Sequence, residues 1–346
     1  MIYFNSDYLE GAHPRILARL AETNLIQTPG YGEDEYCERA RGIIRELCEA
    51  PEADVHFLVG GTQVNATVLT AALRPYQGVV SADTGHIAVH ETGAVEARGH
   101  KVLALSGHDG KIDAGQVSEL CRLHHGDESH EHMVMPGALY LSSPTELGTL
   151  YSREELEAFR AVCDRWNLIL YLDGARLGYG LASPQNTLDL PFLARVCDAF
   201  TIGGTKQGLL FGEALVVNSA ALKRDFRYFI KQGGGMLAKG RLLGVQFEEM
   251  LKDGLYTQLS EHAIREALRL KDALAGLGVP FLVDSPTNQQ FPILPDAVLN
   301  MLRKHYGYAT IQRVDAGHVA VRFCTSWATV PAHVDGLIAD LRQLLG

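Results

Sequence analysis

Seven short apolar runs recur through the first two-thirds of the chain, at 56–59, 78–82, 101–105, 138–142, 168–172, 199–202 and 213–217. Between them lie segments whose apolar residues fall at helical spacing. A run such as Leu168-Ile169-Leu170-Tyr171-Leu172, with no polar alternation, is the pattern of a strand covered on both faces. Strand–helix alternation repeated this often builds an α/β architecture, a mainly parallel sheet flanked by helices. The clearest intervening helix opens on a capping box, Ser152 with Glu155, and places Leu156, Phe159, Val162, Cys163 and Trp166 on one face.

The pattern changes near residue 240. A long helical stretch over 242–274 breaks at Asp253-Gly254 and ends at Gly276 and Gly278. Short strands follow at 281–283 and 290–293, then a hairpin of 309–314 and 318–323 turned at Asp315-Ala316-Gly317. A last helix carries Val334, Leu337, Ile338, Leu341 and Leu345. The expected division is a large domain over 1–240, including an N-terminal arm, and a smaller C-terminal α+β domain over 241–346.

Charge and cysteine content narrow the setting. A net charge of −10 disfavours nucleic acid or an anionic membrane as partner, so neither is expected. No apolar run reaches membrane-span length, and Met1-Ile2-Tyr3-Phe4-Asn5-Ser6-Asp7 lacks the basic-then-apolar pattern of a signal peptide. The six cysteines form no CxxC pair and no disulfide framework. A cytoplasmic protein acting on a small molecule is expected.

Ligands of open α/β sheets sit beyond the carboxyl ends of the strands, so residues just after the apolar runs are the ones to inspect. Asp173, opening Asp173-Gly174-Ala175-Arg176, follows one run, and Thr205-Lys206 follows another 33 residues on, room for one crossover helix and a return strand. A Lys and an Asp converging there suit pyridoxal 5'-phosphate (PLP). The amine condenses with the aldehyde, and the carboxylate keeps the pyridine nitrogen protonated, making the ring an electron sink. Gly60-Gly61-Thr62 lies between the first run and a helical segment, the place where free backbone N–H groups bind phosphate, and Thr205 offers a further hydroxyl. His86, just past the 78–82 run, is on the same edge and can lie against the ring. Arg322, amid apolar neighbours in the small domain, needs a partner, and its guanidinium suits an amino-acid carboxylate. The stretch His124-His125-Gly126-Asp127-Glu128-Ser129-His130-Glu131-His132 reads as a solvated loop rather than a metal centre, with His132, next to the following strand, the member closest to pointing into the site.

Over nearly its full length the chain resembles the threonine aldolase (β-eliminating lyase) family of fold-type I PLP-dependent enzymes. The likeness is carried by Ser6-Asp7, Tyr31-Gly32-Glu33-Asp34, Gly61-Thr62 with Asn65, Gly85-His86-Ile87, Glu91-Thr92-Gly93-Ala94, Asp173-Gly174-Ala175-Arg176, Lys206-Gln207-Gly208, Gly233-Gly234-Gly235-Met236 and Arg322. The resemblance implies a fold-type I transferase-like fold and cleavage of a β-hydroxy-α-amino acid, threonine or allo-threonine, to glycine and an aldehyde. By the same resemblance Lys206 would carry PLP, Asp173 would contact its ring nitrogen, and His86 would stack on the ring. Gly61, Thr62 and Thr205 would hold the phosphate, and Ser6, Arg176 and Arg322 the substrate carboxylate, with Arg176 also bordering the cofactor. His132 falls at the position of a second active-site histidine. A homodimer or homotetramer is implied, its glycine loop reaching the neighbouring subunit's phosphate.

Three segments depart from the family pattern: Asn5-Ser6-Asp7-Tyr8, Ser142-Ser143-Pro144-Thr145-Glu146, and Leu237 where an arginine is usual. Lys231, before the glycines, is expected to supply the missing charge. Because one scaffold carries many reactions, β-elimination or transamination of another amino acid stays open beside the aldolase reading, as does a non-catalytic PLP-binding role.

Overall fold

All seven expected strands form, and they belong to one sheet. The computed structural model describes residues 1–346. The strands are β1 (Asp54–Leu58), β2 (Gln77–Ala82), β3 (Val102–Leu105), β4 (Met135–Ser142), β5 (Ile169–Asp173), β6 (Ala199–Gly203) and β7 (Glu213–Val217). Their order across the sheet is β1-β7-β6-β5-β4-β2-β3. Only β7 runs against its neighbours, pairing antiparallel with β1 and β6. The carboxyl ends of the other strands therefore share one edge, and the first residue of β7, Glu213, joins them there.

Side-chain alternation splits the core into two layers. Tyr140, Tyr171, Leu215 and Val217 pack on one face with Val64 and Val68 of a helix, Gly61–Ala72. Leu139, Leu141, Leu170, Leu172, Phe200 and Val216 face the other way, against Leu156, Phe159 and Cys163 of the helix Arg153–Trp166. That second helix has the expected capping box: Ser152 Oγ accepts from the Glu155 backbone, and Glu155 returns a carboxylate to the Ser152 N–H.

The small domain holds its own core of Leu270, Leu274, Leu294, Val321, Phe323, Val334, Leu337 and Leu341. The long helical stretch is broken as expected. Helices Arg241–Leu251 and Leu255–Gly276 are separated by Asp253 (φ 54°) and Gly254 (φ 68°), both left-handed. The hairpin forms from Ala309–Arg313 and His318–Cys324, with a bulge between Thr310 and Gln312.

Two expectations need correction. The run 290–293 is divided into Gln289–Gln290 and Ile293–Pro295, because Pro292 has no N–H to give the ladder. The run 281–283 keeps only a single bridge, Phe281 to Pro292. The helix that follows residue 240 also packs on the large domain. Phe247 and Met250 lie in the large-domain core, and the helix Arg241–Leu251 crosses Glu35–Leu47 so closely that a Cβ on Gly244 would collide with the Cys37 backbone nitrogen. Conversely, Ile2–Tyr3 pairs with Tyr306–Gly307 and Phe4 lies in the small-domain core, so the N-terminal arm straps the two parts together.

Candidate active site

Asp173 ends β5 and Lys206 follows β6, so both stand at the edge shared by the strand ends. They line one cavity of about 170 Å³ with Gly60, Gly61, Thr62, His86, Glu146, Arg176, Thr205 and Glu213. His86, Glu146, Arg176 and Lys206 also form walls of a larger cleft of about 620 Å³, whose far side is Tyr8, His90, Phe291 and Arg322. The two spaces form a narrow inner pocket and a wider outer chamber between the domains.

A hydrogen-bonded network holds Asp173 from behind. Its Oδ2 accepts from Tyr140 Oη (2.7 Å) and Asn65 Nδ2 (2.9 Å), and its Oδ1 from the Ala175 N–H (2.9 Å). Burial pushes both Tyr140 and Tyr171 well above the usual phenol range, so they stay protonated donors. Tyr171 donates to Asn65 Oδ1 (2.7 Å), which turns the Asn65 amide toward Asp173 and toward Glu91 Oε1 (2.7 Å). Glu91 in turn takes His86 Nδ1 at 2.8 Å. Asp173 and His86 are thus joined through Asn65 and Glu91, and the Nε2 of His86 is left for a ligand. The His86 N–H donates to Glu146 Oε1 (2.9 Å), which also accepts from Ser142 Oγ (2.7 Å). Burial raises the Glu146 carboxyl.

Lys206 gives up its proton more readily than a free amine. Burial and the Arg176 charge lower its pKa, against the pull of Asp7, Glu213 and Asp173. A neutral amine is the nucleophilic form. Around it, Gly60 and Gly61 present backbone at the start of the helix Gly61–Ala72, and a Cβ at either would project into open space. Thr205 Oγ1, fixed by the Gly212 N–H at 3.0 Å, stands across from them. This donor set fits PLP: N–H and hydroxyl groups for a phosphate at one end, a buried carboxylate for a protonated ring nitrogen at the other, and an amine between.

The other expected residues fall in different places. Arg322 reaches the outer chamber, donating to Gln289 Oε1 (3.0 Å) and the Asn5 carbonyl (2.8 Å). Ser6 is buried, its Oγ without a partner. Arg176 lines both spaces, but Asp7 already grips two of its nitrogens. Lys231 lies away from Lys206, its Nζ 4.9 Å above the Tyr31 ring, in a surface hollow of about 360 Å³ shared with Arg227 and Tyr228.

His132 must be corrected. It sits exposed in the turn His130–His132 before β4, whereas the site lies past the other end of that strand. Eight strand residues at ~3.3 Å each separate the two, so His132 does not reach the pocket of its own chain. The second histidine of the chamber is His90, with its ring centroid 5.5 Å from that of His86. Burial, and then the charges of His86, Arg322 and Arg176, hold its pKa down. Its spacing of four from His86, one turn of a short helix, was the available signal. Glu146 and Glu213 were missed because a lone Glu beside a strand carries no pattern.

The profile of the beta-eliminating lyase family matches residues 4–297. The chain belongs to that family. It is 31% identical to the low specificity L-threonine aldolase of Pseudomonas aeruginosa, covering 99% of this chain and 98% of that one. Identity is 30% to the low specificity L-threonine aldolase of a Pseudomonas species, over 99% and 97% of the two chains. The solved structure of Leishmania major threonine aldolase superposes with a TM-score of 0.97 at 42% identity, with full coverage of both chains. Treponema denticola cystalysin, solved with PLP, is only 14% identical but superposes with a TM-score of 0.73, which marks the shared fold. This is a fold-type I, PLP-dependent lyase, as the family resemblance implied.

Proposed function

We propose that this enzyme cleaves a β-hydroxy-α-amino acid, threonine or allo-threonine, to glycine and an aldehyde. One observation carries the reading. Asp173, Lys206, His86, Arg176 and Arg322 border two adjoining spaces that share His86, Glu146, Arg176 and Lys206, with Asp173 in the inner one and Arg322 in the outer.

PLP bound in the inner pocket supplies an electron sink for charge that develops on the substrate's α-carbon. The chain does the rest. Arg322 and Arg176 hold the substrate carboxylate and so set which bond to the α-carbon stands across the ring. The β-hydroxyl proton must leave as the carbon–carbon bond breaks. His86 Nε2 takes it, directly or through a water shared with His90, because His86 Nδ1 is committed to Glu91. Asp173, gripped by Tyr140, Asn65 and Ala175, stays oriented through the cycle.

Incubation with PLP and a panel of amino acids tests this. Glycine plus aldehyde supports it, pyruvate plus ammonia would reassign the chain to β-elimination, and no turnover would make it a binding protein. The working enzyme is a homo-oligomer in which Lys231 and the glycine loop serve the neighbouring subunit's phosphate. The domain division is read as 1–240 and 241–346. A reducing, cytoplasmic setting accords with six buried, unpaired cysteines.

A further inference from the structure

Glu213 is an acid in a place built for an anion. As the first residue of the antiparallel β7, it lies opposite Leu58 on β1 and Gly203 on β6. Those two residues lead straight into Gly60-Gly61-Thr62 and into Thr205-Lys206, so Glu213 stands between the two halves of the phosphate cradle. It shares the sheet face of Leu215 and Val217, lines the inner pocket, and is 3% exposed. Its Oε2 is buried without any partner.

We propose that Glu213 is the proton-linked member of the cradle: it is neutral when a phosphate is bound, and one proton is taken up as the phosphate enters. The inference rests on the PLP reading of the pocket. The physical reason is twofold. A carboxylate beside a phosphate dianion is repulsive at close range, whereas a carboxylic acid is a donor. In addition, Thr205 has a single hydroxyl proton. That proton now faces the Gly212 carbonyl at 3.4 Å, and a neutral Glu213 leaves it free to turn to the phosphate, whereas an ionised one competes for it. The groups facing the carboxyl are consistent with this. Burial pushes Glu213 up to about 8 and Asp173 adds to the push, against the charge of Lys206 and hydrogen bonds from Thr205 and Gly204. The phenols of Tyr171 and Tyr256, which feel the same carboxyl, remain protonated.

The test uses the full chain freed of cofactor, titrated with inorganic phosphate by calorimetry in buffers of different ionisation enthalpy. Above pH 8 the native protein should take up about one proton per phosphate, and affinity should fall about tenfold per pH unit. Glu213→Gln should bind with no proton uptake and a flat profile over that range. Lys206→Ala, which removes a cation that holds Glu213 down, should keep the uptake but move its onset to higher pH, which separates the carboxyl from the amine. Absence of uptake in the native protein, or its persistence in Glu213→Gln, overturns the proposal. So does its loss in Lys206→Ala at every pH tested. Should Glu213→Gln fail to fold, the native protein and Lys206→Ala still decide. PLP binding, followed by its absorbance, is measured alongside. Failure of both phosphate and PLP to bind refutes the cofactor reading, whereas binding of both without proton uptake refutes only the role of Glu213.

Discussion

Asp7 and Arg176 form a buried, two-pronged ion pair, with Nε to Oδ2 at 2.6 Å and Nη2 to Oδ1 at 3.0 Å. The pair ties the N-terminal arm to the loop after β5. Asn288 Nδ2 adds a third bond to Asp7 Oδ2 at 3.0 Å, bringing in the small domain. Three segments far apart in sequence thus meet at one carboxylate beside the active site.

Burial alone would raise Asp7, but the charges of Arg176 and Lys206, with hydrogen bonds from Arg176 and Asn288, outweigh it and hold the carboxyl at about 2. A lowered folded-state pKa gives stability that is present above the unfolded value near 4 and lost as pH falls through about 2. The gain is about 2 kcal/mol. Asp7→Asn should flatten the decline in stability over that acid window, measured by urea midpoints. Asp7→Ala, which leaves Arg176 buried without its partner, should cost ~3–5 kcal/mol at neutral pH. An unchanged midpoint in Asp7→Ala would show that the arm is not held by this pair.

Lys206 should be the residue that carries the cofactor. Purified protein should be yellow, and borohydride should fix PLP to the peptide containing Lys206. Recovery on the peptide of Lys101 or Lys111 would refute the site as drawn.

Glu91 has no contact with the outer chamber, yet it orients both His86 and Asn65. Glu91→Gln should lower kcat by about ten- to hundred-fold, the loss of a charge-assisted bond worth ~1.5–3 kcal/mol, with KM little changed. A parallel rise in KM would instead mean that the chamber itself has collapsed.

Arg322→Ala should chiefly weaken substrate binding, raising KM for threonine by the equivalent of ~1.5–3 kcal/mol. If both kinetic constants stay at native values, Arg322 serves only its bonds to Gln289 and Asn5.

What could be read in advance followed from chemistry that is local in sequence. Apolar runs mark buried strands whatever their neighbours, a left-handed break is written into Asp253-Gly254, and a Lys and an Asp after two such runs must reach the same sheet edge. The misses are of another kind. Pro292 interrupts a strand only because its N–H would have been needed by a partner some thirty residues away in the chain. Asp7 and Asn288 are 281 residues apart, and nothing in either neighbourhood announces the other. His132 was placed by counting from a strand, but counting gives a position along the strand and not the end at which the pocket opens.

The geometry of Lys231 leads to the last prediction. Its ammonium stands 4.9 Å over the ring of Tyr31, a left-handed residue with φ 62°, and Arg227 shares the hollow. The loop that follows makes a tight turn: Gly234 has φ 74°, and the Gly235 N–H donates to the Ile230 carbonyl at 2.8 Å. Arg227 is already paired with Glu33 at 3.0 Å, so Lys231, set against Tyr31 and Tyr228 in the hollow, is the cation expected to meet a negative group from outside the chain. A neighbouring subunit's phosphate meets that description, and Lys231 then supplies the charge that Leu237 does not. Mixing two inactive variants tests this directly. Subunits carrying Lys206→Ala, combined with subunits carrying Lys231→Glu, should regain part of the native activity, because one site of each hybrid would have both its own Lys206 and its neighbour's Lys231. No recovery after verified subunit exchange would place Lys231 outside the site, and a fully active monomer in solution would remove the need for a neighbour altogether.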